Sequence, residues 1–179
     1  MHYAIADFLL DIAQNSLEAG ASNVSVVVDE SNGMIIVSVV DDGRGMTPET
    51  VRRALDPFYS DGIKHPGRRV GLGLPFLEQA TGQAGGFMEI LSEPGKGTTV
   101  RFGFPDDSVD TPPLGDLASA FMLLLGSDGL SELTIRHVAT ARGIEYEVAR
   151  SDLIDAVGPL GDAEALLAVR DFLASNEAA

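Results

Sequence analysis

Val37-Ser38-Val39-Val40-Asp41-Asp42-Gly43-Arg44-Gly45-Met46 (residues 37–46) is an apolar strand that runs straight into an acidic turn punctuated by glycines. Two glycines one residue apart let the backbone turn tightly and approach a flat ligand without Cβ clashes. A carboxylate held at the strand end can accept a hydrogen bond from an exocyclic amine such as that of adenine. Asp-Gly clusters also end many strands for turn reasons alone, so this stretch needs the context on either side of it.

Upstream, Asn32-Gly33 is a hairpin signal, and Val24, Val26 and Val28 alternate with more polar neighbours, so 23–30 and 34–40 read as paired strands. Before them, Ile5, Phe8, Leu9, Ile12 and Ala13 recur at helical spacing over 3–19, and Gly20 supplies the stop. Downstream, Thr47-Pro48 opens a short helix to residue 55. A basic, glycine-bearing stretch over 56–70 carries no clear periodicity. The pattern then predicts a helix over 74–84 and strands at 87–92 and 98–104, joined by Glu93-Pro94-Gly95-Lys96-Gly97. Three prolines and three aspartates in 105–113 suggest a boundary. Beyond it the reading is a helix at 114–125, strands at 132–139 and 144–150, and a terminal helix at 162–175.

Three further elements could carry chemistry. The first helix puts Asp7, Asp11 and Asn15 at i, i+4 and i+8 on one face, with Glu18 nearby. A solvated face opposite the core stripe explains that pattern equally well. Gly71-Leu72-Gly73-Leu74 follows Lys64, Arg68 and Arg69 and enters a helix, where exposed N–H groups and the helix dipole favour phosphate. No Gly-Lys-Ser/Thr ends this run, so it is not a P-loop, and the dinucleotide fingerprint is absent. Gly95-Lys96-Gly97-Thr98-Thr99 reads by itself as a tight turn.

Composition removes several alternatives. The 179 residues suit one domain or a domain with an appendage, and 45% hydrophobic content with mean hydropathy +0.13 supports a packed core. No apolar run approaches the roughly 20 residues of a membrane span. No secretory signal opens the chain, so the expected compartment is cytoplasmic. There is no cysteine, which excludes disulfides and thiol nucleophiles, and His2, His65 and His137 are too few for a zinc site. A net charge of −15 disfavours a nucleic-acid surface. The stretch from Asp106 onward has four basic and fourteen acidic residues, so it carries −10 of that charge. Against this background the cluster Lys64, Arg68 and Arg69 asks for an anionic partner.

The order and spacing of these elements together resemble the GHKL superfamily, which joins gyrase, heat-shock chaperone, histidine kinase and mismatch-repair ATPases. Residues 11–21, Asp-Ile-Ala-Gln-Asn-Ser-Leu-Glu-Ala-Gly-Ala, resemble its N box, in the form seen in mismatch-repair ATPases. Asp41 to Met46 is similar to the first glycine box, Asp56-Pro57-Phe58-Tyr59-Ser60 to the F box of histidine kinases, Val70 to Leu74 to the second glycine box, and Gly97-Thr98 to the last. The resemblance covers roughly the first 105 residues. Short stand-alone ATP-binding proteins share the Gln-Asn-Ser N box, the Val-Gly-Leu-Gly box and the Pro-Pro-Leu-Gly-Asp run found here at 112–116, and such proteins tend to be encoded near iron-only hydrogenase subunits.

The fold this resemblance implies is α+β, a two-layer α/β sandwich of the Bergerat type over 1–105, with a small acidic α+β extension over 106–179. It implies ATP and Mg²⁺ as cofactors. Asn15 would place its amide oxygen on Mg²⁺, and Asp41 would bond the adenine amine. Gly43 and Gly45 would admit the backbone, Met46 would lie against the base, and Thr98 would sit beneath it. Lys64, Arg68 and Arg69 would form the lid, and Gly71, Leu72, Gly73 and Leu74 the phosphate cradle. Asp11 stands where hydrolysing members carry a water-activating Glu, one methylene shorter here, which favours slow hydrolysis. The implied function is a nucleotide-dependent switch with a protein partner at the lid or the acidic tail, and a homodimer is open. A serine kinase like the anti-sigma factors and a non-catalytic ATP-binding module are the alternatives. A histidine autokinase is disfavoured, because few residues precede the N box.

Overall fold

The computed structural model describes residues 4–57 and 73–178. In chain order the elements are α1 (Ile5–Glu18), β1 (Asn23–Ser31), β2 (Met34–Asp41), α2 (Pro48–Ala54), α3 (Gly73–Ala84), β3 (Phe87–Glu93) and β4 (Gly97–Pro105). They are followed by α4 (Leu117–Leu125), β5 (Glu132–Ala139), β6 (Ile144–Ala149), α5 (Arg150–Val157) and α6 (Ala163–Glu177). The expected α+β class is the observed one. Helix α4 starts three residues later than its apolar run suggests, because Gly115 sits at φ +83° and Asp116 takes the cap, its Oδ1 accepting the Ser119 N–H at 2.9 Å. Helix α5 is absent from the sequence reading. Its eight residues bury none of their number fully and so write no apolar stripe.

One six-stranded sheet runs β3-β4-β2-β1-β5-β6, antiparallel except where β1 and β5 lie parallel. Alternation decides its buried face: Val24, Val26 and Val28 of β1, Val37 and Val39 of β2, and Val100, Phe102 and Phe104 of β4 all point one way. The apolar stripe of α1 lies on that face, with Phe8 stacked on Phe104 at 6.4 Å between ring centroids.

The stretches 1–105 and 106–179 share this sheet and one core. Strand β5 pairs with β1 from Asn23 to Asp29. Leu117, Phe121, Leu124 and Leu125 of α4 join the same apolar cluster as Ile5, Leu9 and Ile12. The chain after Pro105 also serves the start of α1. Helix N-termini leave N–H groups without intrahelical partners, and here Ile5 N–H donates to Pro113 O and Ala6 N–H to Leu114 O, both at 2.9 Å.

At the far end of β5 a polar cluster closes the core. His137 is fully buried, with Nδ1 at 2.8 Å from Glu177 Oε1 and Nε2 at 2.8 Å from Glu30 Oε1. Arg142 also bonds Glu30, and the Tyr146 hydroxyl donates to Glu177. Burial, with the adjoining Glu177, pushes the Tyr146 phenol above its usual range. Burial alone would raise the Glu177 carboxyl, but its hydrogen bonds with His137 and Tyr146 outweigh that and hold it below its usual range. A depressed folded-state value contributes stability above the unfolded value, near pH 4.3, and that contribution fades as pH falls through the folded value. Glu177→Gln is therefore expected to lower the melting midpoint at pH 7 by about 3–6 °C. The gap to wild type should begin to narrow as pH falls below about 4.3 and close only below the depressed folded-state value. Melts from pH 7 to pH 3 check this, and a gap that stays constant with pH refutes it.

Candidate functional site

The carboxylate of Asp41, at the end of β2, is 8% exposed and held by three donors. Its Oδ1 accepts the Gly43 N–H at 2.9 Å and the Thr98 N–H at 3.2 Å, and its Oδ2 accepts the Ser16 hydroxyl at 2.7 Å. A carboxylate oxygen has about two acceptor positions. Among the described residues Oδ1 is filled, and Oδ2 keeps one.

The glycine turn that follows is wedged between α1 and the β3–β4 hairpin. Arg44 N–H donates to Ala19 O at 3.0 Å, and Gly95 N–H donates to Arg44 O at 2.8 Å. Two glycines are required by this interlock. At Gly45, φ is +65° and a Cβ would fall 2.0 Å from Glu93 O; at Gly97, φ is +96° and a Cβ would fall 1.9 Å from Asp41 O. The next residue, Met46, is half-buried and donates its N–H to Ser92 Oγ at 2.8 Å.

Thr98 pairs with Asp41 on one side and Ser92 on the other, so the three stand in a row across β2, β4 and β3. They line a cleft of about 580 Å³, together with Val51 and Arg52 of α2, among others. That volume lies within the usual range for small-molecule sites.

Asp11 and Asn15 lie one turn apart on α1, Asp11 half-buried and Asn15 exposed. Helix α3 begins against Asp11: a Cβ on Gly73 would lie 3.2 Å from Asp11 Oδ2. Leu74, the second residue of α3, packs on the apolar core. Asp7 of the same polar stripe has a different task, accepting the Ala4 N–H at 2.8 Å to cap α1. Thus Asp41, Gly43, Gly45, Met46 and Thr98 come together, and Asp11 meets Gly73. The expected lid and cradle residues Lys64, Arg68, Arg69, Gly71 and Leu72, and Phe58 to Ser60 of the F box, lie outside the described residues.

Three residues that the sequence reading does not single out complete the turn. Ser16 interrupts the buried stripe of α1 with a hydroxyl, and that interruption was its legible signal. Asp42 accepts the N–H groups of Ser22 (2.8 Å) and Asn23 (2.9 Å) and the Asn23 side-chain amide (2.7 Å), which ties the turn to the start of β1. Hydrogen bonds from Asn23, above all its backbone N–H, hold the Asp42 carboxyl below its usual range. Ser92 is the third, and nothing in its local sequence marks it.

A strand-end carboxylate beside an interlocked glycine turn, with an N-box helix over it, defines a nucleotide-binding ATPase domain. Residues 4–108 match the family described as histidine kinase-, DNA gyrase B- and HSP90-like ATPase, and the chain belongs to that family. Its domains bind ATP. The sensor histidine kinase ZraS of Klebsiella oxytoca is 37% identical over 100 residues, which is 54% of this chain and 21% of that protein. The sensor protein SrrB of Staphylococcus aureus is 31% identical over 99 residues, 54% of this chain and 17% of that one. The chain thus spans about a fifth of the length of these relatives. Among solved structures, the catalytic domain of histidine kinase ThkA has 22% identity and a TM-score of 0.44, over 55% of this chain and 64% of that one. Full-length ShkA in complex with AMPPNP has 24% identity and a TM-score of 0.45, over 57% and 22%. Among the described residues no helix is long and apolar enough to cross a membrane.

Proposed function

We propose that this chain binds Mg-ATP in the cleft beside Asp41 and acts as a nucleotide-dependent switch with slow or partner-stimulated hydrolysis. The observation that carries this reading is the Asp41 carboxylate, fixed on three sides by protein donors with one acceptor position left on Oδ2. That position suits the exocyclic amine of adenine and not the carbonyl of guanine.

The donor set also fits Mg²⁺, a hard cation that takes few protein oxygens and keeps several waters. The exposed amide oxygen of Asn15 would hold it, and the bound metal would offset the phosphate charge. The N–H groups of Gly71, Leu72, Gly73 and Leu74 would cradle phosphates at the start of α3, with Lys64, Arg68 and Arg69 closing over them. Met46 would lie against the base and Thr98 beneath it. Residues up to 105 would supply every nucleotide contact, while 106–179 would act as scaffold and acidic surface for a protein partner.

Calorimetry on the full chain tests the core of this reading. It should show saturable 1:1 binding of ATP that weakens when Mg²⁺ is removed. No saturation at roughly 1 mM, about 4 kcal/mol of binding energy, overturns it.

Turnover tests Asp11. A general base typically contributes about 10²–10⁴-fold, so Asp11→Ala should bind ATP and hydrolyse it roughly 100-fold more slowly. Asp11→Glu should match or exceed the wild-type rate, since a longer arm brings the carboxylate nearer its water. If Asp11→Ala keeps the wild-type rate, water activation lies elsewhere, and transfer to a protein hydroxyl becomes the better reading.

A further inference from the structure

Away from the cleft, one imidazole stands between two carboxylates. Val24 of β1 is the partner of Asp41, and four residues further along the strand Val28 pairs with His137. The His137 ring is fully buried. Its Nδ1 lies 2.8 Å from Glu177 Oε1 in the last turn of α6, and its Nε2 lies 2.8 Å from Glu30 Oε1 in β1. Each of those oxygens also takes a second donor, Arg142 on Glu30 and the Tyr146 hydroxyl on Glu177. Among the described residues no other charged or titratable side chain bonds the ring.

An ionised carboxylate only accepts hydrogen bonds, and a neutral imidazole has a single N–H. A neutral ring would therefore hold a bare lone pair 2.8 Å from a carboxylate oxygen on one side or the other. The guanidinium of Arg142, which is always charged, pairs with Glu30 as a carboxylate. Burial pushes the Glu177 carboxyl up, but its hydrogen bonds with His137 and Tyr146 outweigh that and keep it ionised at neutral pH. Both ring nitrogens then have to donate. With both protonated, His137 and Arg142 balance Glu30 and Glu177 one for one. With one proton gone, the buried group carries an uncompensated negative charge, which is costly away from water.

We propose that His137 holds both ring protons and serves as a pH-sensitive latch, fastening the last turn of α6 to β1 while charged and releasing it as pH rises. Losing a proton withdraws one donor and leaves two carboxylates facing one neutral ring. Glu177 is the partner that leaves, because it stands at a helix end, whereas Glu30 lies within a paired strand and keeps Arg142. Just before it, Leu173 is fully buried and Ala174 packs on the core, so release bares apolar surface. In acid the same contact is lost when Glu177 takes a proton, so the latch is fastened only between those two limits.

The test uses the full chain carrying His2→Gln and His65→Gln, which leaves His137 as its single imidazole, labelled with ¹⁵N in the ring. At pH 7 both ring nitrogens should carry protons. As pH is raised, the ring should lose one of them in the same step in which amide protection over 173–176 falls. Corrected for the pH dependence of exchange in free amides, that fall should be about tenfold, the equilibrium worth of one hydrogen bond. Adding Glu177→Gln should remove the step in protection while the ring still titrates. A bare ring nitrogen at pH 7 would overturn the latch. So would a ring that titrates with no change in α6, or a protection step that survives Glu177→Gln. The first two measurements need no substitution within the cluster, so they decide the matter even if Glu177→Gln does not fold.

Discussion

Asp41→Asn is expected to weaken ATP binding by about 100-fold while leaving the fold in place. The carboxylate's Oδ1 accepts two backbone N–H groups, so the amide oxygen of the new side chain must take that position. Its Nδ2 then replaces Oδ2 against Ser16, whose hydroxyl can rotate to accept instead of donate. Every buried bond survives that exchange, and the melting midpoint should move by only a few degrees. What changes is the group shown to the cleft, which becomes an N–H. It faces the amine of adenine, donor against donor, where wild type offers an acceptor. Calorimetry with ATP checks the loss, and unchanged affinity in a folded variant would falsify the adenine assignment. The same exchange should lessen the penalty for GTP, whose base carries a carbonyl there.

Ending the chain after Pro105 is expected to abolish cooperative folding. The cut would remove Leu117, Phe121, Leu124 and Leu125 from the core, each at most 3% exposed. Burying one such side chain contributes about 1.5–3 kcal/mol, and the net stability of a domain is only about 5–15 kcal/mol. It would also bare the edge of β1 from Asn23 to Asp29, a row of unpaired backbone groups prone to aggregate. Finally, it would withdraw the Pro113 and Leu114 carbonyls that receive the first N–H groups of α1, the helix carrying Asp11, Asn15 and Ser16. Thermal melting followed by circular dichroism should show no sigmoidal transition for residues 1–105. A folded, soluble product with a sharp melt would mean that the four strands and three helices described up to Pro105 are self-sufficient.

These two predictions draw on different sources of information. Asp41, Gly43 and Gly45 were legible because their pattern is local: a strand must end, a turn must be tight, and glycine alone tolerates the close approach, whereas Thr98 entered only through the resemblance, its bond to Asp41 spanning 57 positions. The Val-alternating strands and the stripe of α1 were legible for a similar reason, since a period of 2 or 3.6 is written in consecutive residues. Helix α5 was not, because a short helix with no fully buried residue carries no such period.

By itself, then, the sequence determined the element order through residue 105, the glycine turn with its strand-end carboxylate, and the family these boxes belong to. Only the tertiary structure decided that 106–179 completes the sheet and caps α1, since the proline-rich run at 105–113 reads locally as a boundary whether or not the chain beyond it returns. Only the tertiary structure, likewise, put Ser16 and Ser92 on either side of the Asp41–Thr98 pair. Ser16 lies 25 positions from Asp41, and Ser92 lies 46 from Met46. A hydroxyl's partner across such a separation is set by strand register and helix packing, and neither leaves a mark on the residues next to it.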